Sequence, residues 1–386
     1  MTSERERLIY LDNNATTPVD PRVTDAVVRA LRDGWGNPSS GHRAGRLARD
    51  LVEGARAQVA ACLGARPDEV LFTSGGSESD NWAIRGVLPS AVGCHVVTTA
   101  VEHPAVISTA RALEREGRIR LTVVGVDRFG LVDPDEVGRA LAPDTVLVSV
   151  MLANNEVGTL EPVAEIAAAC RRRGVLVHTD AAQAVGKVPV DVGALGVDML
   201  TVAGHKLYAP KGIGALFLRR ETTLQPLVRG AGHERGLRAG TENVPGIAGL
   251  GTACEIVRQE LAAGIPRLAS LRDDLERRLT LGFPALVRHG HPERRLPNTA
   301  SVAFPGLDAN ALLEEIADKV AASPGAACHT GAVQPSAVLA AMGVDAATAL
   351  ATVRFSVGRF TTGEDVEEGV RLVLQAVRRL EQRRRK

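Results

Sequence analysis

Between about residues 20 and 220 the apolar positions keep changing rhythm. Residues 43–62, RAGRLARDLVEGARAQVAAC, repeat them at helical spacing, whereas EVLFTS (69–74) gathers them into a short run ending in Ser-Gly-Gly. The first pattern predicts a helix and the second a strand. SESDNWAIRGVL restores the helical period. Further short apolar runs predict strands at HVVTT (95–99), RLTVVGV (120–126), TVLVSVML (145–152), VLVHTD (175–180), DMLTVAG (198–204) and IGALFLR (213–219). Helical stretches at 104–116, 133–141 and 162–173 separate several of them. Strands that alternate with helices predict an α/β fold, a mostly parallel sheet covered on both faces. After about residue 255 the pattern changes. A long, charged amphipathic helix (255–280) leads to strands in TASVAFPG and TVRFSVG and a final helix (363–382), which reads as a smaller α+β domain.

Bulk composition narrows the partners. The chain has 386 residues, 45% hydrophobic and 24% charged, with a formal net charge of +1. A near-neutral chain offers no field for nucleic acid or a membrane surface, so no direct nucleic-acid partner and no membrane are expected. The basic runs RRR (171–173) and EQRRRK end helices, where cations suit the negative end of the macrodipole. MTSERERLIYLD has no apolar signal core, and no apolar run reaches transmembrane length, so a cytoplasmic location is the expectation. The five cysteines are far apart and include no CxxC pair, which argues against a disulfide framework and a dedicated metal cluster. Cys62, Cys170 and Cys254 sit in apolar helical patterns and read as small core residues. Cys328 does not. It stands in SPGAACHTG (323–331), among small residues, with His329 beside it.

Open α/β sheets bind ligands beyond the carboxyl ends of their strands. Gly75, Gly76 and Ser77 follow EVLFTS, and His103 follows HVVTT. Asn154 and Asn155 follow TVLVSVML, Asp180 and Gln183 close VLVHT, and His205 and Lys206 follow DMLTVA. Each alone has a plain structural explanation. Asp180 could cap a helix, His103 could be a satisfied core histidine, and the two asparagines could make a turn. Together they form a set with one chemistry. A Gly-Gly-Ser turn into a helix offers backbone N–H groups and a hydroxyl to a phosphate; it lacks the endings of a P-loop or a GxGxxG fingerprint. A carboxylate at Asp180 suits a protonated ring nitrogen, and an amine at Lys206 suits a Schiff base. These are the parts that pyridoxal phosphate asks of a protein. His103 would then stack on the ring and handle protons, and Gln183 would bond the ring hydroxyl. Lys211, in YAPKGIG, reads as surface charge; Lys206 is preferred because it follows the strand directly, beside His205.

The segments YLDNNATTPVDP (10–21), FTSGGSESDN (72–81), VEHPAV (101–106), MLANNEVGT (151–159), HTDAAQAVGK (178–187), AGHKLYAPKGIGALF (203–217), GHERGLRAGTEN (232–243) and RFSVGRFTT (354–362) resemble the class I cysteine desulfurases and the related selenocysteine lyases. These are fold-type I pyridoxal phosphate enzymes of the aminotransferase class-V group. The resemblance implies a large domain over 14–255 with a mostly parallel seven-stranded sheet between helices. It implies a small domain from 1–13 with 256–386. It makes Lys206 the Schiff-base lysine, Asp180 the pyridinium partner, His103 the stacking residue and Gln183 the ring-hydroxyl contact. Gly76, Ser77 and His205 look like partners of the phosphate, and Thr241 like a phosphate ligand donated across a homodimer interface. Asn155 and Arg354 look like anchors of the substrate carboxylate. Cys328 looks like the sulfur-accepting nucleophile on a mobile loop, which must reach both substrate and acceptor. His329 is placed to lower its pKa.

Three positions depart from the pattern. Ser77 stands where many relatives have threonine, and Ala203 where iron–sulfur-type desulfurases usually have a phosphate-binding serine. Gly-Ala-Ala-Cys-His replaces Gly-Ser-Ala-Cys-Thr and looks like the version in animal selenocysteine lyases. The reading taken is a cysteine desulfurase that converts L-cysteine to L-alanine, forms a persulfide on Cys328 and passes it to an acceptor protein. A selenocysteine lyase acting on L-selenocysteine is the alternative on the same scaffold. A non-catalytic sulfur or metal carrier would leave Lys206 and Asp180 without a purpose.

Overall fold

The computed structural model describes residues 8–88, 93–329 and 332–384, with the hairpin arms at 326–329 and 332–333 described by their backbone. Strand β1 (Ile9–Tyr10) comes first, followed by helices α1 (Pro21–Asp33) and α2 (Arg43–Leu63). Asp20 caps α1 and Pro21 opens it; α2 stops at Gly64, whose φ of +67° is the left-handed conformation glycine adopts freely. Then strands and helices alternate: β2 (Val70–Thr73), α3 (Gly76–Gly86), β3 (Cys94–Thr99), α4 (Pro104–Arg115), β4 (Ile119–Val124), α5 (Pro134–Ala140), β5 (Thr145–Ser149), α6 (Val163–Arg171), β6 (Leu176–Asp180), α7 (Val192–Leu195), β7 (Met199–Ala203) and β8 (Gly214–Leu218).

Strands β2 to β8 form one seven-stranded sheet in the order β2-β8-β7-β6-β5-β3-β4. β8 is antiparallel to both neighbours and the other pairings are parallel, so β8 alone runs against the rest. Consequently β2, β3, β5, β6 and β7 all deliver their carboxyl ends to the same edge. Both faces are covered. Val97, Val148 and Leu200 pack with α1, α2, α5 and α6 on one side; Leu71, Leu147 and Met199 pack with Trp82 of α3 and Leu113 of α4 on the other.

The remaining elements are α8 (Val244–Gly282), β9 (Val287–His289), β10 (Thr299–Ala303), α9 (Ala309–Ile316), β11 (Val320–Ala321), β12 (Ser323–Pro324), β13 (Ala326–His329), β14 (Ala332–Pro335), α10 (Ala337–Ala341), α11 (Ala346–Leu350), β15 (Thr352–Ser356) and α12 (Gly363–Arg384). An antiparallel sheet, β12-β15-β10-β9, packs on α8, α9 and α12 around Val302, Phe304, Val353 and Phe355. β1 pairs in parallel with β11, and Ile9 and Leu11 join this second core. No helix among the described residues is long and apolar enough to cross a membrane.

Two sequence expectations need correction. The long helix expected at 255–280 begins at Val244, and its first turns belong to the core of the large sheet. That stretch, VPGIAGLGTACEIV, has few charges to mark a helical face. Its glycines serve close packing: a Cβ on Gly251 would lie 2.6 Å from the Cβ of Ala55 on α2. The second correction concerns the backbone of SPGAACHTG, expected as a loop. It forms strand at Ser323–Pro324 and Ala326–His329, with a bend at Gly325. Ser323 pairs with Arg354 across β12 and β15, and Cys328 pairs with Val333 across the β13–β14 hairpin. This hairpin is a separate two-stranded sheet, the kind that is marginally stable by itself. Thr330 and Gly331 lie outside the described residues.

The segment between β8 and α8 is latched to the large sheet by a buried ion pair. Glu234 accepts from both Nη atoms of Arg56 at 2.8 Å and from the backbone N–H of Phe72 at 2.9 Å. Removing one partner of such a pair strands the other charge in a dry site, at a cost of about 3 kcal/mol or more. Glu234→Ala should therefore lower the thermal unfolding midpoint by several degrees. An unchanged midpoint would show that the latch adds nothing to stability.

Candidate active site

Beyond β7 a single turn, residues 204–206, puts Lys206 over the N-terminal segment. Its Nζ donates to the carbonyl oxygens of Asn14 at 2.5 Å and Ala15 at 2.9 Å. Burial, helped by the charge of Arg354, lowers its pKa to about 8, against the pull of Asp180 and Asp12. Lys211, by contrast, is exposed. Asp180, the last residue of β6, is buried. Its Oδ1 accepts from the Ala182 N–H at 2.8 Å, and among the described residues no side chain donates to it. Burial raises its pKa, with His103 and Lys206 opposing. His103 caps α4, its Nδ1 accepting from Ala105 N–H at 3.1 Å, and burial holds the ring toward the neutral form. Asp80 of α3, which sequence reasoning missed, completes this corner. Polar atoms of Asp80, His103 and Asp180 lie within 4.8 Å of one another. Oδ1 of Asp80 has no hydrogen-bond partner, and burial beside Asp180 raises its pKa strongly.

The phosphate end is built from a helix start. Gly75 precedes α3 without any side-chain cap, so the N–H groups of its first turn face outward beside the exposed Ser77. Gly76 lies against the end of β7: a Cβ there would sit 3.3 Å from that of Ala203. His205 contacts Thr16 Oγ1 through Nδ1 at 3.1 Å, and burial among cations lowers its pKa to about 4, leaving a neutral ring. Glu78 in the same turn accepts from the Ser74 N–H and is held by Arg238 at 2.8 Å. Thr241 is exposed and makes no hydrogen bond among the described residues. It lines a cavity of about 250 Å³ with Thr73, Ser74 and Arg238, and no contact brings it to Lys206 or Asp180. The set fits pyridoxal phosphate: an uncapped helix start for the phosphate, a buried carboxylate without a side-chain donor for a ring N–H, and a desolvated amine.

On the substrate side Arg354 of β15 is buried and already engaged. Nη1 donates to Asn155 O at 2.9 Å; Nη2 donates to Asp12 Oδ1 at 2.8 Å and Ser323 Oγ at 3.0 Å, while among the described residues Nε has no partner. A substrate carboxylate would share this guanidinium with Asp12. The Asn155 side chain is half-buried and makes no hydrogen bond among the described residues. Gln183 is buried, with its Nε2 donating to Asn14 O at 2.9 Å. Asn14 itself went unnoticed in the sequence, although it touches Lys206, Gln183, Asn155, Thr299 and Asn298. Cys170 and Cys254 are fully buried, and burial pushes the Cys170 thiol up to about 11. Cys62 and Cys94 are half-buried. What the Cys328 thiol and the His329 ring touch lies outside the described residues.

The aminotransferase class-V family model matches residues 9–368. A cysteine desulfurase of Trichormus azollae is 44% identical over 375 residues, covering 97% of this chain and 94% of the relative. A solved NifS-like protein superposes with a TM-score of 0.91 at 36% identity, covering 97% of this chain and 100% of that one. A structure described as SspA in complex with cysteine gives 0.80 at 33% identity, covering 92% and 99%.

The lowered pKa of Lys206 has a direct consequence. An amine attacks a carbonyl only when unprotonated, so the fraction of reactive Lys206 rises with pH through about 8. The rate at which cofactor-free protein takes up pyridoxal phosphate, followed by absorbance, should climb across that range and then level. A rate still climbing steeply toward pH 10 would mean that Lys206 is not desolvated.

Proposed function

The chain belongs to the aminotransferase class-V family and is a pyridoxal phosphate-dependent cysteine desulfurase, and we propose that it converts L-cysteine to L-alanine while the sulfur passes to Cys328. The observation that carries this reading is the meeting of Lys206, Asp180 and His103 at the ends of β7, β6 and β3, beside an uncapped helix start.

When bound, pyridoxal phosphate withdraws electrons from the substrate's α-carbon and so loosens the bonds around it. The chain's own residues do the rest. The start of α3, with Gly76, Ser77 and His205, holds the phosphate. Asp180 receives the ring N–H, and its burial strengthens that contact. His103 covers the ring, and Gln183 offers an N–H to the ring oxygen. Arg354 and the Asn155 amide fix the substrate carboxylate, with the planar guanidinium offering paired N–H donors. Lys206, close to half protonated near pH 8, holds a proton for delivery and can take one back. The Cys328 thiolate attacks the substrate sulfur. A sulfur–sulfur bond forms as the carbon–sulfur bond breaks, the electron pair goes to carbon, and a proton completes alanine. The persulfide then passes to a thiol of an acceptor protein.

Three further parts of the reading rest on narrower support. A homodimer is supported by Thr241, exposed and without a hydrogen bond among the described residues; there it would serve the neighbouring subunit's phosphate. A two-unit division, 14–255 and 1–13 with 256–386, is supported by the separate core around β10 and β15, although α8 runs through the boundary. A reducing cytoplasm suits a free thiol nucleophile.

The decisive variant is Cys328→Ala. Alanine production from L-cysteine should fall by about a thousandfold or more, as when a covalent nucleophile is lost. Selenium leaves carbon more readily than sulfur, so part of the turnover of L-selenocysteine should survive. Alanine substitution of Cys94 should change neither. Desulfuration at the wild-type rate by Cys328→Ala would remove that thiol from the reaction.

A further inference from the structure

Lys187 is a buried ionisable group that the reaction as read does not use. It is 5% exposed, sits one turn after Gln183, and forms no ion pair among the described residues. Its Nζ donates to Gln183 Oε1 and, at 3.0 Å, to Asn14 Oδ1. We propose that Lys187 is a positioning residue of the cofactor site, fixing by these two donations which end of the Gln183 and Asn14 amides faces the cofactor and Lys206.

A side-chain amide has a donor end and an acceptor end, and its function depends on which way it points. With Oε1 held by Lys187, Gln183 must turn its NH₂ group the other way, where it donates to Asn14 O at 2.9 Å. That NH₂ is the end suited to an oxygen acceptor such as a deprotonated ring hydroxyl. Asn14 is locked in the same sense. Its Oδ1 accepts from Lys187 and from Asn298 Nδ2 at 3.0 Å, and its Nδ2 donates to Thr299 Oγ1 at 2.8 Å and Asn155 O at 3.2 Å. Its backbone carbonyl then lies under Lys206 Nζ. One amine thus orients two amides that reach both Lys206 and the Asn155 carbonyl bonded to Arg354. Burial beside the charges of Lys206 and Arg354 holds the Lys187 amine well below its usual pKa. The shift is toward the neutral form, which still donates and lessens the repulsion of Lys206.

The inference rests on the pyridoxal phosphate reading, and the two can fail separately. Lys187 also borders a cavity of about 420 Å³ with Tyr208, Val257 and Leu261, which gives the thioether of Lys187→Met room to settle. Equilibrium binding of pyridoxal phosphate to cofactor-free protein, read by absorbance, is the test. Lys187→Met should weaken binding about tenfold, as loss of a buried hydrogen-bond partner does. Lys187→Gln, which keeps N–H donors, should stay within about threefold of wild type. On a Gln183→Ala background Lys187→Met should cost clearly less, about threefold, because only the Asn14 amide is left for it to orient. A Lys187→Met protein that binds as wild type overturns the proposal. So does a tenfold loss that persists with Gln183→Ala, which would mark a general structural role. Failure of the wild type to bind the cofactor would overturn the underlying reading instead.

Discussion

An amine taken out of water at the edge of a sheet is the constraint on which this site depends. Among the described residues, two peptide carbonyls, those of Asn14 and Ala15, replace the hydration of Lys206. Carbonyls satisfy its donors without supplying the full countercharge that would keep the proton on. The amine therefore titrates near 8, in the range where a lysine can act both as nucleophile and as proton carrier. The arrangement works only if the N-terminal segment lies across the strand ends. Among the contacts that hold it there are Asn13 N–H to Ser356 O, Thr17 N–H to His205 O, and the Asp12–Arg354 ion pair.

Sheet topology does the gathering. Because β8 is the single strand running the other way, the ends of β2, β3, β5, β6 and β7 collect their polar residues on one side. Groups far apart in sequence thereby share a dry corner: Asp180 and Asp80 lose water and gain affinity for protons, while His103 and His205 lose it and stay neutral. Buried acids without close cationic partners are costly by themselves. They become favourable around a ligand that brings a ring N–H.

Much of this was legible in the sequence. All seven strands of the large sheet show as short apolar runs, since buried parallel strands need apolar side chains on both faces. The ionisable residues at their ends announce a site because nothing in a strand–turn–helix connection requires them. Other parts left no local mark. Asn14 and Lys187 act through partners distant in sequence, and an asparagine before Ala-Thr-Thr looks like any turn residue. Asp80 resembles an ordinary polar residue on a helix until the fold buries it beside Asp180. The first turns of α8 carry glycines that weaken a helical signal but allow close packing on α1 and α2. A Gly/Ala segment reads as a loop, yet backbone pairing with β14 makes a strand of the stretch around Cys328.

The central claim is that Lys206 is the residue to which the cofactor is joined. Reducing the loaded protein with borohydride and mapping its peptides measures this directly. The account predicts the cofactor on Lys206 alone. Its appearance on Lys211 or Lys187 would contradict it.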